Sequence, residues 1–258
     1  MSERTKYSNG VFSWADLTTT DQDAAKEFYG ALFGWDAEDQ PVGDGVVYSM
    51  MAIDGKAVAA ISPQPEQQRE AGVPPTWNSY VTVDSADAAL ARAKELGATV
   101  HADAFDVMEA GRMGVVQDPK GAYFLVWEPK GNIGASLVNV PGAFTWNELA
   151  SPDIDASAAF YGEMFGWTTD PMEGGPFPYL VIKTPDGRSG GGIRQTPEEP
   201  PYWLVYFGTD DADAAVARVE ELGGSKLAGP MSIGPGQIAI VQDPQGAVFA
   251  LYAGEFDD

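Results

Sequence analysis

Two acidic side chains, each two residues after a tryptophan, are the best candidates for chemistry in this sequence. Asp16 follows Trp14, and Glu148 follows Trp146. Residues two apart on a strand share a face, so each carboxylate would lie beside an indole ring. A buried carboxylate can pair with a cation, or act as a general base if burial raises its pKa towards neutrality. Asp16 and Glu148 are thus the candidate catalytic residues; the other interpretation is a structural hydrogen bond or an exposed strand end.

No other residue in the chain completes a known catalytic pair. The sequence has no cysteine and one histidine, His101, so thiol catalysis, thiolate metal sites and disulfides are excluded. A lone histidine near the start of a strand is more typical of a surface or capping role than of catalysis. The glycines at 190–192 open no helix, which favours a bulge or hairpin end over a phosphate-binding loop.

The strand that contains each acid begins a pattern that occurs twice. In the first half WADL at 14–17 precedes FYG at 28–30, FGW at 33–35 and VQDPKG at 116–121. In the second half WNEL at 146–149 precedes FYG at 160–162, FGW at 165–167 and VQDPQG at 241–246. A duplicated unit of this length can close its own core, so the repeat predicts two domains.

The composition of the chain limits the classes of partner that the protein is expected to bind. The formal net charge of −23, from 15 basic and 38 acidic residues, makes nucleic acid and anionic membranes unfavourable partners. The N-terminus has no apolar segment typical of a signal peptide, and no apolar run reaches transmembrane length, so we expect a cytoplasmic protein. We expect it to be a monomer whose domains form an intramolecular pseudo-dimer, or a homodimer.

Each half of the sequence shows the same order of elements. Residues 12–17 alternate as a strand does, Thr20 or Asp21 can cap the helix that follows, and Gly34 ends it. Residues 46–52 and 57–61 predict a hairpin, and residues 62–75 predict an exposed loop. A second strand, helix and hairpin follow from Trp77. The connection between the halves contains several apolar residues, so we expect it to pack against a domain.

This pattern resembles the vicinal oxygen chelate superfamily, which includes glyoxalase I, bleomycin-resistance proteins and extradiol dioxygenases. The doubled FYG…FGW helix and Asp-Pro-x-Gly turn carry the resemblance, which is greatest to tandem members labelled glyoxalase-like or hydroxylase. It implies an α+β fold of four βαβββ modules, in which each pair of modules forms a half-open curved sheet around a cavity with helices outside. The implied boundaries are a first domain at 1–132, a packed connection at 133–141 and a second domain at 142–258.

The resemblance also implies where a metal would be held in the metal-dependent members, and here those positions lack suitable ligands. Counting from the motifs places Trp14, Asn78 and Leu125 at three of the four positions in the first domain. The same count in the second domain gives Trp146, Leu204 and Ala250. The remaining position in each domain lies on a middle strand, whose register the sequence does not fix. Indole and alkyl groups have no metal-binding atom, and a neutral amide is a poor sole ligand. We therefore predict no metal and no cofactor.

Alternation along the strands predicts which side chains would line each cavity instead. The lining would be aromatic with one acid, which suits a small organic ligand that is cationic or aromatic. Arg112 would add a cation to the first cavity. The predicted ligand-binding residues are Trp14, Asp16, Asn78, Tyr80, Arg112, Tyr123, Trp127, Trp146, Glu148, Tyr206 and Tyr252.

Three functions remain open on the sequence alone. The first is a metal-independent small-molecule-binding protein of the glyoxalase and bleomycin-resistance type. The second is a glyoxalase-like lyase, or a hydroxylase or dioxygenase-type enzyme, that uses an external cofactor. The third is a regulatory or interaction protein with vestigial cavities, in which Trp14 and Trp146 fill the core as large aromatic residues commonly do.

Overall fold

The computed structural model describes residues 2–43, 45–174, 177–234 and 236–256. The first half of the chain forms one sheet of eight strands with three helices. Its elements are β1 (Phe12–Thr19), α1 (Gln22–Phe33), β2 (Asp36–Gly43), β3 (Val46–Ile53), β4 (Lys56–Pro63), α2 (Glu66–Glu70), β5 (Thr76–Thr82), α3 (Ala86–Glu95), β6 (Thr99–Val107), β7 (Gly111–Gln117) and β8 (Tyr123–Pro129).

The second half forms a second sheet of eight strands with two helices. Its elements are β9 (Phe144–Ser151), α4 (Ile154–Phe165), β10 (Thr168–Pro171), β11 (Tyr179–Lys183), β12 (Ser189–Gln195), β13 (Tyr202–Gly208), α5 (Ala212–Glu221), β14 (Ser225–Ile233), β15 (Gly236–Gln242) and β16 (Val248–Gly254). None of the helices in the described part of the chain is both long and apolar enough to cross a membrane.

The strand order shows how the modules combine. The sheets run β2-β3-β4-β1-β5-β8-β7-β6 and β10-β11-β12-β9-β13-β16-β15-β14. Each module contributes four adjacent strands, and two modules meet where β1 pairs antiparallel with β5, or β9 with β13. The predicted α+β fold of four βαβββ modules is confirmed. Each sheet uses strands from one half of the chain only, so neither sheet is formed by modules exchanged between domains.

Helix ends follow the local sequence. Asp21 caps α1, since its carboxylate accepts from the Ala24 N–H, and Gly34 ends the helix in the left-handed region at φ 72°. Asp153 and Gly166 do the same for α4. The loop predicted at residues 62–75 instead contains the short helix α2, whose side chains are exposed.

A bulge near the start of β1 sends two aromatic residues to opposite faces of the sheet. Phe12 pairs with Val81 and Trp14 with Tyr80, so Ser13 is the extra residue. A bulge breaks the alternation of a strand, because two residues oppose one. Phe12 therefore points towards the second domain, where its ring lies 5.1 Å from that of Trp203.

The helices lie on the outer face of each sheet, but α1 and α4 are also covered by the other domain. Tyr29 of α1 lies 5.5 Å, between ring centroids, from Phe249 of the second domain. Tyr161 of α4 lies 5.5 Å from Phe124 of the first. Trp77 and Trp203 donate to these two tyrosines, at 2.9 Å each, as helix-packing or interface residues should. The two domains thus share one aromatic core.

The connection between the sheets packs on the first domain. Ala135 and Val138 are buried, and the Ala135 N–H donates to the Ser13 carbonyl at 2.8 Å. Gly134 lies so close to the same carbonyl that a Cβ atom there would meet it. This segment therefore packs against β1 before the chain enters the second domain.

Candidate ligand sites on the inner faces of the sheets

The inner face of each sheet is the one turned away from the helices. Gly114 of β7 faces Leu90 of α3, and Trp77 of β5 donates to Tyr29 of α1, which identifies the helix side. Neighbouring residues on a strand point to the other side. Asn78, and the residues two positions away from it along β5, therefore lie on the inner face of the first sheet.

Four predicted residues of the first domain belong to one hydrogen-bond network around the Asp16 carboxylate. Asp16 accepts from Asn78 Nδ2 at 2.8 Å through one oxygen and from the Tyr80 hydroxyl at 2.7 Å through the other. The Tyr48 hydroxyl also donates to Asp16, at 3.1 Å, and accepts from Trp14 Nε1 at 2.9 Å. Strands β1, β3 and β5 together build this network, which we call the Asp16 network and which consists of Trp14, Asp16, Tyr48, Asn78 and Tyr80.

The carboxylate of Asp16 is enclosed by neutral donors. It is 4% exposed, and no basic side chain among the described residues forms an ion pair with it. Burial raises the pKa of Asp16, while the hydrogen bonds from Tyr80, Asn78 and Tyr48 act to lower it. Burial also raises the pKa of Tyr80 far above its usual value, and the nearby Asp16 charge adds to this. The tyrosine hydroxyls therefore stay protonated as donors, and no basic side chain of the described residues is placed to neutralise Asp16 when it is ionised.

The second domain repeats the network around Glu148. Trp146 Nε1 donates to the Tyr179 hydroxyl at 3.0 Å, and the Tyr206 hydroxyl donates to Glu148 at 3.0 Å. Tyr179 also hydrogen-bonds to Glu148. These four residues form the Glu148 network, in which each member except the longer acid is identical to its counterpart around Asp16.

The third donor distinguishes the two networks. Leu204 stands where the first domain has Asn78, and Arg194 of β12 donates to Glu148 through Nε at 2.8 Å. The guanidinium also lies 5.7 Å from the ring centroid of Phe177. Glu148 is therefore neutralised by a cation from its own chain, whereas no basic residue in the described part of the chain pairs with Asp16.

Sequence reasoning missed Tyr48, Tyr179 and Arg194. A signal for the two tyrosines was present, because both middle strands contain a tyrosine at equivalent places in the repeat. The register of these strands depends on the pairing of β3 with β4 and of β11 with β12, which the sequence does not define. Arg194 had no signal of this kind, because Ser62 occupies the equivalent place in the first domain.

Accessibility differs among the members. Trp14 is 6% exposed and belongs to the main core, so for this residue the core-filling alternative describes the structure. Trp146 is half-buried beside a small cluster centred on Leu204. Tyr48 and Asn78 are half-buried, and they are the members through which the inner face reaches Asp16.

Three further predicted residues lie at the margin of the inner faces. Trp127 packs edge-on against Tyr80, with ring centroids 6.5 Å apart, and donates to the Asn132 carbonyl. Tyr252 is half-buried beside the Leu204 cluster. Tyr123 is 49% exposed and packs against His101, so it is not brought to the Asp16 network.

Arg112 was predicted to face the first cavity, and this is wrong. Its guanidinium pairs with Asp87 of α3 through two hydrogen bonds of 2.9 and 3.0 Å, and it lies 3.6 Å from Asp106. Arg112 has the same alternation on β7 as Gly114, which faces α3. The prediction failed because the hydrophobic pattern of β7 is too weak to show which of its faces meets the helix.

The residues on the inner faces do not fit a divalent metal ion. At the positions implied for ligands, the Trp14 N–H and the Asn78 amide both point donors at neighbours, and Leu125 has no ligand atom. The Asp16 network contains one carboxylate, and so does the Glu148 network. Within the described ranges no three His, Asp or Glu side chains cluster as a metal site would require.

Comparison with known proteins agrees with this architecture. Residues 11–126 match the model of the glyoxalase/bleomycin resistance protein/dioxygenase superfamily, and residues 146–252 match that of a glyoxalase-like domain. In overall fold the chain is similar to the Mn(II)-bound glyoxalase from Novosphingobium aromaticivorans, with a TM-score of 0.66 and 18% identity over 97% of this chain and 85% of that one.

Two relatives match along nearly their whole length. A protein of Mycobacterium bovis named putative glyoxylase CFP32 is 44% identical over 255 residues, covering 97% of each chain. The anthracycline biosynthesis protein DnrV of Streptomyces peucetius is 34% identical over 269 residues, covering 96% of this chain and 94% of its own. The chain therefore belongs to the glyoxalase/bleomycin resistance protein/dioxygenase superfamily, with one such domain in each half.

Proposed function

We propose that this chain is a metal-independent small-molecule-binding protein, and that the first domain binds a flat organic cation at the Asp16 network. The observation that carries the proposal is the buried Asp16 carboxylate, which has three neutral donors and, among the described residues, no cationic partner. A buried charge without a counter-ion is costly, so a cationic ligand gains from neutralising it.

The neighbours of Asp16 suit such a ligand. The half-buried Tyr48 ring offers a π-face, which attracts flat rings and cations. Asn78 uses its amide N–H₂ on Asp16, so its carbonyl oxygen, which has no donor among the described residues, can accept from a ligand N–H. Similarity to a protein named for anthracycline biosynthesis supports a flat polycyclic ligand. The net charge of −23 favours cations weakly.

The second domain serves as the internal control. Arg194 already neutralises Glu148 at 2.8 Å, so that network offers a half-buried aromatic wall at Trp146 without an uncompensated charge. We expect it to bind flat neutral molecules more weakly, and not to prefer cations.

Calorimetric titration with N-methylacridinium and with neutral acridine at pH 7.5 tests the proposal. We expect the cation to bind at least about tenfold more tightly than the neutral isostere, a difference of about 1.4 kcal/mol. Asp16→Asn should remove that preference, and Glu148→Gln should keep it. Dialysis against a chelator should leave the affinity unchanged.

Each alternative outcome has a defined meaning. Equal affinity for the two probes, or a preference retained in Asp16→Asn, would contradict a cation site at Asp16. Affinity that disappears on chelation would contradict metal independence. Failure of both probes, together with tight capture of a protein partner, would favour the interaction protein with vestigial cavities.

An enzyme is the second candidate, because the raised pKa of Asp16 suits a general acid or base. The relative named putative glyoxylase supports a lyase of that kind, and a hydroxylase would use an external cofactor. Turnover of a 2-oxoaldehyde thiol adduct that is lost in Asp16→Asn but kept in Glu148→Gln would support it. Equal turnover by both variants would oppose it.

A further inference from the structure

A cavity of about 330 Å³ lies between the two domains, away from both inner faces. One wall is the N-terminal segment at residues 4–8 with Val11 and Phe12. The other is the turn between β11 and β12. Its lining includes Arg4, Lys6, Tyr7, Ser8, Arg188 and Ser189. A cavity of this size lies within the range of small-molecule sites in proteins, at about 300–1,000 Å³.

The N-terminal wall is held in place at both ends. The Arg4 N–H donates to the Ser136 carbonyl at 2.9 Å, and the Tyr7 hydroxyl donates to the Ala135 carbonyl at 2.7 Å. Farther along, the indole N–H of Trp167, in the second domain, donates to the Gly10 carbonyl at 2.6 Å. These bonds fix the segment against both domains, so the cavity is part of the folded architecture.

Basic side chains are concentrated in this cavity although the protein is strongly acidic. Most of the 15 Lys and Arg side chains form ion pairs with Asp or Glu. Arg4 and Lys6 form none with any described residue, and both line the cavity. Lys183, which also has no ion pair with a described residue, donates at 2.7 Å to Ser189, and Ser189 lines the cavity.

Asp186, the acid among the lining residues, is hydrogen-bonded within its own turn. Asp186 accepts from the Thr184 hydroxyl at 2.7 Å and from the Arg188 N–H at 3.3 Å, and its carboxylate is 3.9 Å from the Arg188 guanidinium. One carboxylate therefore opposes three cations, Arg4, Lys6 and Arg188. The many acids elsewhere on the surface act weakly here, because charges are largely screened beyond about 8 Å at physiological salt.

The floor of the cavity is apolar. Phe12, Val138 and Phe144 are each nearly fully buried and line it from the core. Ser8, Thr145 and Ser189 also line the cavity. Such a site suits a ligand with an apolar body and an anionic end.

We propose that the cavity between the domains binds a small organic anion with an apolar body, of the class of aromatic carboxylates, with Arg4 and Lys6 receiving the carboxylate. Such a ligand contacts the N-terminal segment of one domain and the β11–β12 turn of the other. It therefore binds the assembled pair of domains and stabilises it by mass action. This site is separate from the cation site proposed at Asp16.

Titration with 2-naphthoate, an anion at neutral pH, and with its neutral isostere 2-naphthamide tests the proposal on the full chain. We expect naphthoate to raise the thermal midpoint and naphthamide to have little effect. In the double variant Arg4→Gln/Lys6→Gln the Kd for naphthoate should rise at least tenfold. The backbone bonds that hold this wall are independent of both side chains, so the variant should fold.

The matched control is Arg69→Gln/Lys226→Gln, which removes two cations outside the cavity that also lack ion pairs among the described residues. It should bind naphthoate as the parent does. Equal loss in both double variants, or equal binding of acid and amide, would overturn the proposal. Asp16→Asn should leave naphthoate binding intact, so a failure here is distinguishable from a failure of the cation site.

Discussion

At the scale of single residues, two differences between the repeats, Asn78 against Leu204 and Ser62 against Arg194, change the electrostatics of the site. Both domains place an acid against two tyrosine hydroxyls, one of which also accepts from a tryptophan N–H. The first adds the neutral Asn78, and the second adds the cation Arg194. A buried carboxylate is stabilised far more by a cation than by an amide. Glu148 therefore has its counter-ion in Arg194, whereas Asp16 has none among the described residues.

Asp16 should make the protein less stable as the pH rises. Burial raises its pKa in the folded state, so the native chain binds this proton more tightly than the unfolded chain does. Its contribution to stability is full below the unfolded pKa of about 3.9 and is lost as the pH rises through the folded pKa. Asp16→Asn should therefore flatten the fall in unfolding free energy above about pH 4, measured by urea unfolding.

The control for this experiment is Asp210→Asn, which changes an exposed acid. It should leave the dependence of stability on pH unchanged. Identical profiles for Asp16→Asn and the parent protein would show that Asp16 has the same pKa in the folded and unfolded chains.

At the scale of elements, the close approach of Tyr179 to β12 depends on glycine. Tyr179 lies over Gly192, where a Cβ atom would collide with the hydroxyl end of the tyrosine ring. The three glycines at 190–192 thus belong to a strand, and they allow neighbouring groups to approach its backbone closely. This agrees with the prediction that they form no nucleotide-binding loop.

Gly192→Ala should displace Tyr179 and break its bonds to Trp146 and Glu148. We expect a loss of about 1–3 kcal/mol in unfolding free energy, typical of overpacking, with a change in tryptophan fluorescence. Urea unfolding measures the first, and emission spectra measure the second. Gly234→Ala, where a Cβ atom meets nothing within 4 Å, is the control and should change neither. A stable Gly192→Ala with the parent spectrum would contradict this role.

At the scale of the whole molecule, the Asp-Pro-x-Gly turns connect the two domains. In each turn one carboxylate oxygen accepts from three backbone N–H groups of the turn itself. The other oxygen accepts from a tyrosine of the opposite domain, Tyr161 to Asp118 at 2.9 Å and Tyr29 to Asp243 at 3.0 Å. The two links are reciprocal, so the domains are joined about an approximate two-fold axis.

Removing a linking hydroxyl should destabilise the assembled molecule. Tyr29→Phe leaves the buried Trp77 N–H without its acceptor and Asp243 without this donor, and we expect a cost of about 2–4 kcal/mol. Tyr161→Phe should cost a similar amount, because its partners are equivalent. Chemical unfolding measures both. Tyr123→Phe, at an exposed tyrosine, should be neutral, and an equally small effect of Tyr29→Phe would contradict the link.

The sequence by itself determined the local and repeated features. Cap residues, turn residues and strand alternation are short-range properties, so the two domains, the order of elements, Asp16 with Asn78 and Tyr80, and the poor metal ligands were all predictable. The edge strands β2 and β6 were not located, because they are mostly exposed and show no alternating burial.

Only the tertiary structure decided features that depend on how distant strands pair and how the domains pack. Strand register placed Tyr48 and Tyr179 between the indoles and the acids. It also put Arg194 beside the network acid Glu148, whereas Arg112 pairs with Asp87 of α3. Packing of the domains gave the turn aspartates their tyrosine partners and formed the basic cavity between the domains. These contacts join residues far apart in the chain, and no local pattern encodes which of them meet.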